Sequence, residues 1–102
     1  MDFPELLAQW YAMWVQHSPS DLRVDLARGP VDREKRVAWL RAESDRALGS
    51  LVVWDSGELE VEVADVESEV RTLVVSTVLT EADGLEPEIT RFLQACGRDG
   101  TA

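Results

Sequence analysis

Residues 47–79, ALGSLVVWDSGELEVEVADVESEVRTLVVSTVL, decide how the rest of the chain is read. Leu48 to Trp54 and Glu58 to Ala64 are two strand-like runs joined by Asp55-Ser56-Gly57. A three-residue hairpin loop favours glycine in third place, because that position takes a left-handed backbone that glycine adopts at little cost. Pairing Trp54 with Glu58 sets Val53 opposite Leu59 and Leu51 opposite Val61. Successive side chains on a strand alternate between faces, so the odd-numbered residues make one apolar face. A three-residue link at Glu67-Ser68-Glu69 puts Val70 opposite Val66, Leu73 opposite Val63 and Val75 opposite Val61, again with odd residues inward. The even positions align Glu58, Glu60 and Glu62 on the other face, beside Val52 and Trp54. The stretch reads as an antiparallel meander with one buried and one acidic face.

Working towards the N-terminus, residues 36–46 fit two descriptions. Their helix propensity is good, and Val37, Leu40, Ser44 and Leu48 could share a helical face. As a strand turning at Ser44-Asp45-Arg46, Trp39 falls opposite Leu51 and Val37 opposite Val53, in step with the odd-inward parity of the later strands. A helix separates Val37 from Trp39 by about 200°. Agreement across levels favours the strand. Before it, Arg28 to Lys35, with Gly29-Pro30, forms a loop. Residues 21–27 alternate strictly, with Leu22, Val24 and Leu26 against Asp21, Arg23 and Asp25, as in a half-buried strand.

Asp2 to His17 reads as a first helix. Asp2 caps it, Glu5 stands three residues on, and Pro4 lies in the first turn, where a missing amide is harmless. Phe3, Leu6, Leu7, Trp10 and Trp14 follow helical spacing, Tyr11 and Val15 widen the stripe, and Ser18-Pro19 ends it. A last helix spans Glu86 to Cys96, with Leu85, Ile89, Phe92, Leu93 and Cys96 as its apolar face, Pro87 in its first turn and Gly97 as its stop. The expected architecture is α+β: an antiparallel meander of five strands, with N- and C-terminal helices packed on its apolar face. Residues 1–97 form one domain and 98–102 a disordered tail.

Bulk properties narrow the functional classes. A chain of 102 residues supports one domain and one core. Its single cysteine excludes an internal disulfide and suits a reducing cytoplasm. No apolar run approaches membrane-spanning length, and no signal region opens the chain. Ten basic against 20 acidic residues give a net charge of −10, which repels nucleic acid and anionic membranes. The charge is segregated: seven of the ten basic residues lie between Arg23 and Arg46, whereas Asp55 to Glu69 holds seven acids and no base. A basic partner or plain solubility explains such acidity.

No catalytic residue, cofactor site or metal site is expected. His17, the one histidine, has no Ser, Cys or Asp tied to it by a known catalytic spacing. Cys96 sits on a helical apolar stripe, where burial as a small hydrophobe is the default. Strand spacing holds Glu58, Glu60 and Glu62 about 7 Å apart, too far to chelate one ion unaided. No glycine-rich phosphate loop follows a strand. Neighbouring glutamates at this spacing repel by only about 0.6 kcal/mol in water, so the row suits a solvated outer face. Trp54 is the feature a solvated face does not explain. Trp10, Trp14 and Trp39 all take core positions by periodicity, whereas Trp54 falls among carboxylates. An aromatic anchor beside steering charges is how interface hot spots are built. Trp54, Asp55, Glu58, Glu60 and Glu62 are therefore the candidate partner-binding residues, with a covering helix as the competing explanation for Trp54.

The run Leu51-Val52-Val53-Trp54-Asp55-Ser56-Gly57-Glu58-Leu59-Glu60-Val61, followed by Ala64-Asp65-Val66-Glu67, resembles the TriTu type of immunity protein from bacterial polymorphic toxin systems. The order of elements is similar too: a helix with aromatics, strands, a Trp-x-x-Gly hairpin, an acidic strand and a closing helix. Trp54, Gly57 and Asp65 carry the resemblance. It implies a protein that binds and blocks a toxin domain inside the producing cell, with no chemistry of its own. The reading is then a cytoplasmic protein, monomer or weak dimer, that neutralises a cognate secreted toxin by stoichiometric occlusion. The alternative is a small acidic secretion chaperone, which would bind an effector segment as a dimer. An enzyme or ligand-binding domain ranks third.

Overall fold

A computed structural model of the chain describes residues 2–15, 22–29 and 36–97. Helix α1 (Phe3–Trp14) is followed by strands β1 (Arg23–Arg28), β2 (Val37–Glu43), β3 (Ala47–Trp54), β4 (Glu58–Asp65) and β5 (Arg71–Val78). A 3-10 turn (Ala82–Gly84) leads into α2 (Leu85–Cys96). The strands form one antiparallel sheet in the order β1-β2-β3-β4-β5, each paired with its neighbours in sequence. Both helices cross the same face, α1 mainly over β2 and β3 and α2 mainly over β3 and β4. The expected α+β meander is the observed fold.

Hairpin β3–β4 has the expected register, with Val53 opposite Leu59 and Leu51 opposite Val61. Gly57 lies in the left-handed region at φ 97°, and its amide donates to the Trp54 carbonyl at 2.9 Å. Leu51, Val53, Leu59, Val61 and Val63 are buried beneath the helices. Fully burying each such side chain contributes roughly 1.5–3 kcal/mol. Helix α2 adds Leu85, Ile89, Phe92, Leu93 and Cys96 to this core. Gly49 admits α2 to the sheet: a Cβ there would lie 2.8 Å from Cys96 Sγ and 2.9 Å from both Phe92 Cε1 and Val63 Cγ2.

Strand β2 pairs with β3, as expected, but one residue out of the expected register. Val37 faces Trp54, Trp39 faces Val52 and Leu40 faces Leu51. Ala38, Leu40 and Ala42 are therefore the buried set, and Trp39 moves from its expected core position to the outer face. The cause is the length of the link. Ser44 donates its amide to the Ala47 carbonyl at 2.9 Å, which leaves a two-residue loop of Asp45 and Arg46 instead of three. Ser44 Oγ stabilises this turn by accepting the amides of Arg46 and Ala47, each at 3.2 Å. A one-residue slip sends every side chain of a strand to the other face.

The β4–β5 link departs more locally. Leu73 faces Val63 and Val75 faces Val61, as expected. Nearer the turn, Asp65 donates its amide to the Val70 carbonyl, so Val70 sits opposite Asp65 and not Val66. An irregularity at Val63/Ala64 absorbs the difference. Glu69 takes the left-handed position, at φ 61°. Asp65 Oδ1 accepts the amides of Glu67 and Ser68, both at 2.9 Å.

The helices differ from expectation at their ends. Asp2 caps α1 by accepting the Glu5 amide at 3.1 Å, and the helix closes at Trp14, with the Val15 amide bonded to the Tyr11 carbonyl. Trp10 and Trp14 stack at a 5.6 Å centroid separation and are only partly covered. Helix α2 begins one residue before the expected Glu86. His17, Ser18-Pro19, Asp21, most of the Arg28–Lys35 loop and the 98–102 tail lie outside the described residues.

Candidate functional site

The face of the sheet opposite the helices is where the unexplained residues gather. The observed register arranges them in rows that cross the strands. One row runs Ala27, Trp39, Val52, Glu60, Ser76 from β1 to β5. The next pairs Val37 with Trp54 and Glu58 with Val78. A third runs Asp25, Arg41, Ser50, Glu62, Val74. The face is thus striped along the strands: two tryptophans with Val37 and Val52 on β2 and β3, three glutamates on β4, then Val74 and Val78 on β5. Trp39 and Trp54 are half-buried, whereas Val74 is 62% exposed and Val78 59%. Among the described residues, neither helix packs on this face.

The five residues singled out from sequence do not share one environment. Glu60 and Glu62 are exposed, and Glu62 lies 3.4 Å from Arg71 Nε on β5. Glu58 is half-buried and accepts a hydrogen bond from the Ser56 hydroxyl at 2.7 Å. Asp55 is tied to the start of β2: its amide donates to the Arg36 carbonyl and its carboxylate accepts the Arg36 amide at 3.2 Å. It braces the hairpin against its neighbour. Trp54 lies beside the glutamate row, as expected.

Trp39 is the residue sequence reasoning missed. The signal was present in the other positions of its strand. Arg41 and Glu43 share the parity of Val37 and Trp39, so an odd-inward β2 would have buried two charges, at a cost no periodicity argument offsets. Ala38, Leu40 and Ala42 carry no polar group and can be buried freely.

Gly57 fixes how this face is framed. A Cβ at that position would lie 2.4 Å from the Leu79 carbonyl oxygen and 3.3 Å from Phe3 Cε2. The Leu79 amide donates to the Gly57 carbonyl at 2.7 Å, so the hairpin tip is bonded to the exit of β5. Asp65, which also carries the resemblance, has a carboxyl pKa held below its ordinary value, chiefly by the Ser68 amide with help from Glu67, against partial desolvation. Its role is to shape the β4–β5 turn.

The remaining chemistry is sparse. Burial pushes the Cys96 thiol up to about 12, which leaves it protonated and unreactive at neutral pH. No group of three or more His, Cys, Asp or Glu side chains is placed to hold a metal ion among the described residues. A depression along α2, lined by residues from Ala82 to Gln94, is wide open. No described helix is long and apolar enough to cross a membrane.

No curated protein matches this chain. The family model described as immunity protein TriTu matches residues 5–95, from the first turn of α1 to the last turn of α2. With the helix–meander–helix order and the Trp54–Gly57 hairpin both in place, the chain belongs to the TriTu family of immunity proteins.

Proposed function

We propose that this protein neutralises a cognate toxin inside the producing cell by stoichiometric occlusion, using the outer face of its sheet. The observation that carries the reading is the pair of half-buried tryptophans, Trp39 and Trp54, beside the row of Glu58, Glu60 and Glu62. Large aromatics that become fully desolvated on binding supply most of an interface's affinity. A row of like charges beside them speeds encounter with a surface of opposite sign, so the toxin surface that docks here is basic. Asp55 contributes by holding the Trp54 hairpin against β2, in addition to any charge it offers the partner. Family membership makes a toxin the partner class, and the net charge of −10 fits a basic one.

The test is co-expression with the toxin domain that co-purifies with it from its own cells, together with binding kinetics of the purified pair. Reversing Glu58, Glu60 and Glu62 to lysine slows association and leaves the fold intact. Trp54→Ala and Trp39→Ala speed dissociation, at about 2 kcal/mol or more for a hot-spot residue. If folded variants carrying all five substitutions still protect cells and bind at the wild-type rate, the toxin docks elsewhere.

A further inference from the structure

The two edges of the sheet are finished differently. On β1, the Gly29 amide donates to the Val37 carbonyl, so odd-numbered residues there turn their backbone groups to β2. Alternation leaves Val24 and Leu26 facing the free edge. Tyr11 of α1 lies over that edge, its hydroxyl donating to the Val24 carbonyl at 3.0 Å. Arg23, Asp25 and Arg28 put charge along the same strand. This edge is covered and guarded, as sheet proteins usually arrange.

On β5, beyond Arg71 at its start, neither device is present among the described residues. The Leu79 amide donates to Gly57 on the β4 side, so alternation turns the backbone groups of Val74, Ser76 and Val78 to the open edge. From Thr72 to Leu79 the strand carries no charge. Its burial is low on both faces: Val74, Ser76, Thr77 and Val78 are all exposed. An uncharged, β-prone edge of this length is a template for another strand.

We infer that the β5 edge receives an extended segment of the toxin as a sixth strand, with basic side chains at the alternate positions that share the face of Glu58, Glu60 and Glu62. This deepens the toxin-binding reading above and rests on it. Charge selects the occupant. An added strand would lie about 10 Å from β4, two strand spacings away, a gap that an extended arginine and a glutamate span together. Only the small Ser76 lies between that strand and Glu60. Arg71 already shows the contact from within the chain, meeting Glu62 across the same face. A second copy of this chain is disfavoured by its net charge of −10.

The experiment is amide hydrogen exchange on the full chain, alone and with the same purified toxin domain, plus two substitutions. Val74, Ser76 and Val78 amides should exchange at least tenfold more slowly in the complex. Ser76→Pro deletes an amide that the β4 ladder does not use, and should weaken binding at least tenfold, while Ser76→Ala keeps affinity within about twofold. If the toxin binds but these amides exchange as in the free protein, the edge inference falls and the toxin reading stands. If the amides slow without toxin, in step with a concentration-dependent dimer, the occupant is a second copy and the inference is overturned. If the toxin does not bind at all, both fall.

Discussion

Gly57 meets two demands that no other residue satisfies together. Its φ of 97° is costly for a side chain, and its hydrogen side faces the Leu79 carbonyl at a distance no Cβ tolerates. The two can be separated by substitution. Asparagine accepts left-handed backbone better than most residues but brings a Cβ. Gly57→Asn and Gly57→Ala are both expected to cost about 2 kcal/mol or more in urea unfolding, beyond the roughly 1 kcal/mol that backbone strain alone contributes. If Gly57→Asn unfolds like the wild type, the close approach carries no weight. Asp65 makes a prediction of a different kind. Its folded-state pKa is lowered by the Ser68 and Glu67 amides, so the ionised form favours the folded chain. That contribution is present above the unfolded value of about 3.9 and is lost as pH falls through the lower folded value. Melting temperatures of wild type and Asp65→Asn should therefore differ at pH 6 and converge from about pH 4 downward. A constant gap across that range would mean that the turn does not depend on the carboxylate.

Among the elements, those that repeat a simple period were legible, and those that depend on counting turn residues were not. The apolar face of α2 and the β3–β4 register follow directly from spacing, and the structure places those residues in the core. For β2 the error was a single residue in the link at Ser44, because the serine side chain supplies bonds that a three-residue loop would have drawn from the backbone. The same hydroxyl donates to the Cys96 carbonyl at 2.6 Å, a contact no local pattern reveals. The candidate site was legible to the same degree: the glutamate row and Trp54 follow from β4 and its hairpin, whereas Trp39 awaited the register of β2. Gly49 is a further signal that went unread, since glycine within a strand often marks a close approach. Gly49→Ala is expected to cost about 1–3 kcal/mol through overpacking against Phe92 and Cys96. Because Cys96 Sγ is the nearest atom, pairing it with Cys96→Ala should lose less than the two single changes added together. Strict additivity in urea unfolding would place α2 further from the sheet than the structure has it.

At the scale of the molecule, the sheet is divided into a face that holds the protein together and a face that neither helix covers. The helices supply the apolar cover on one side, and the acids concentrate between Asp55 and Glu69, largely on β4 and its flanking turns. Reversing Glu58, Glu60 and Glu62 moves the net charge from −10 to −4, each reversal being worth two charges. Stability should change by less than about 0.5 kcal/mol per site where the side chain is exposed. Association with a basic toxin surface should slow by about tenfold or more at low salt, and the difference should shrink at 0.5 M salt, where the Debye length is only a few ångströms. Equal association rates for wild type and triple mutant at low salt would show that the row does not steer.

The strand order has a consequence for when the protein becomes ready. Each ladder joins strands adjacent in sequence, and the links between 36 and 78 are short, so closing the sheet costs little chain entropy. The long closures belong to the two helices: Phe3 of α1 reaches Gly57, and the tie of α2 to Ser44 spans 52 residues. In a refolding chain the meander can form before α2 docks, leaving the part of the inner face of β3 and β4 that Ile89, Phe92 and Leu93 cover open to water. Docking of α2 then closes that side of the core, so the last apolar surface to leave water belongs to that helix and not to the sheet.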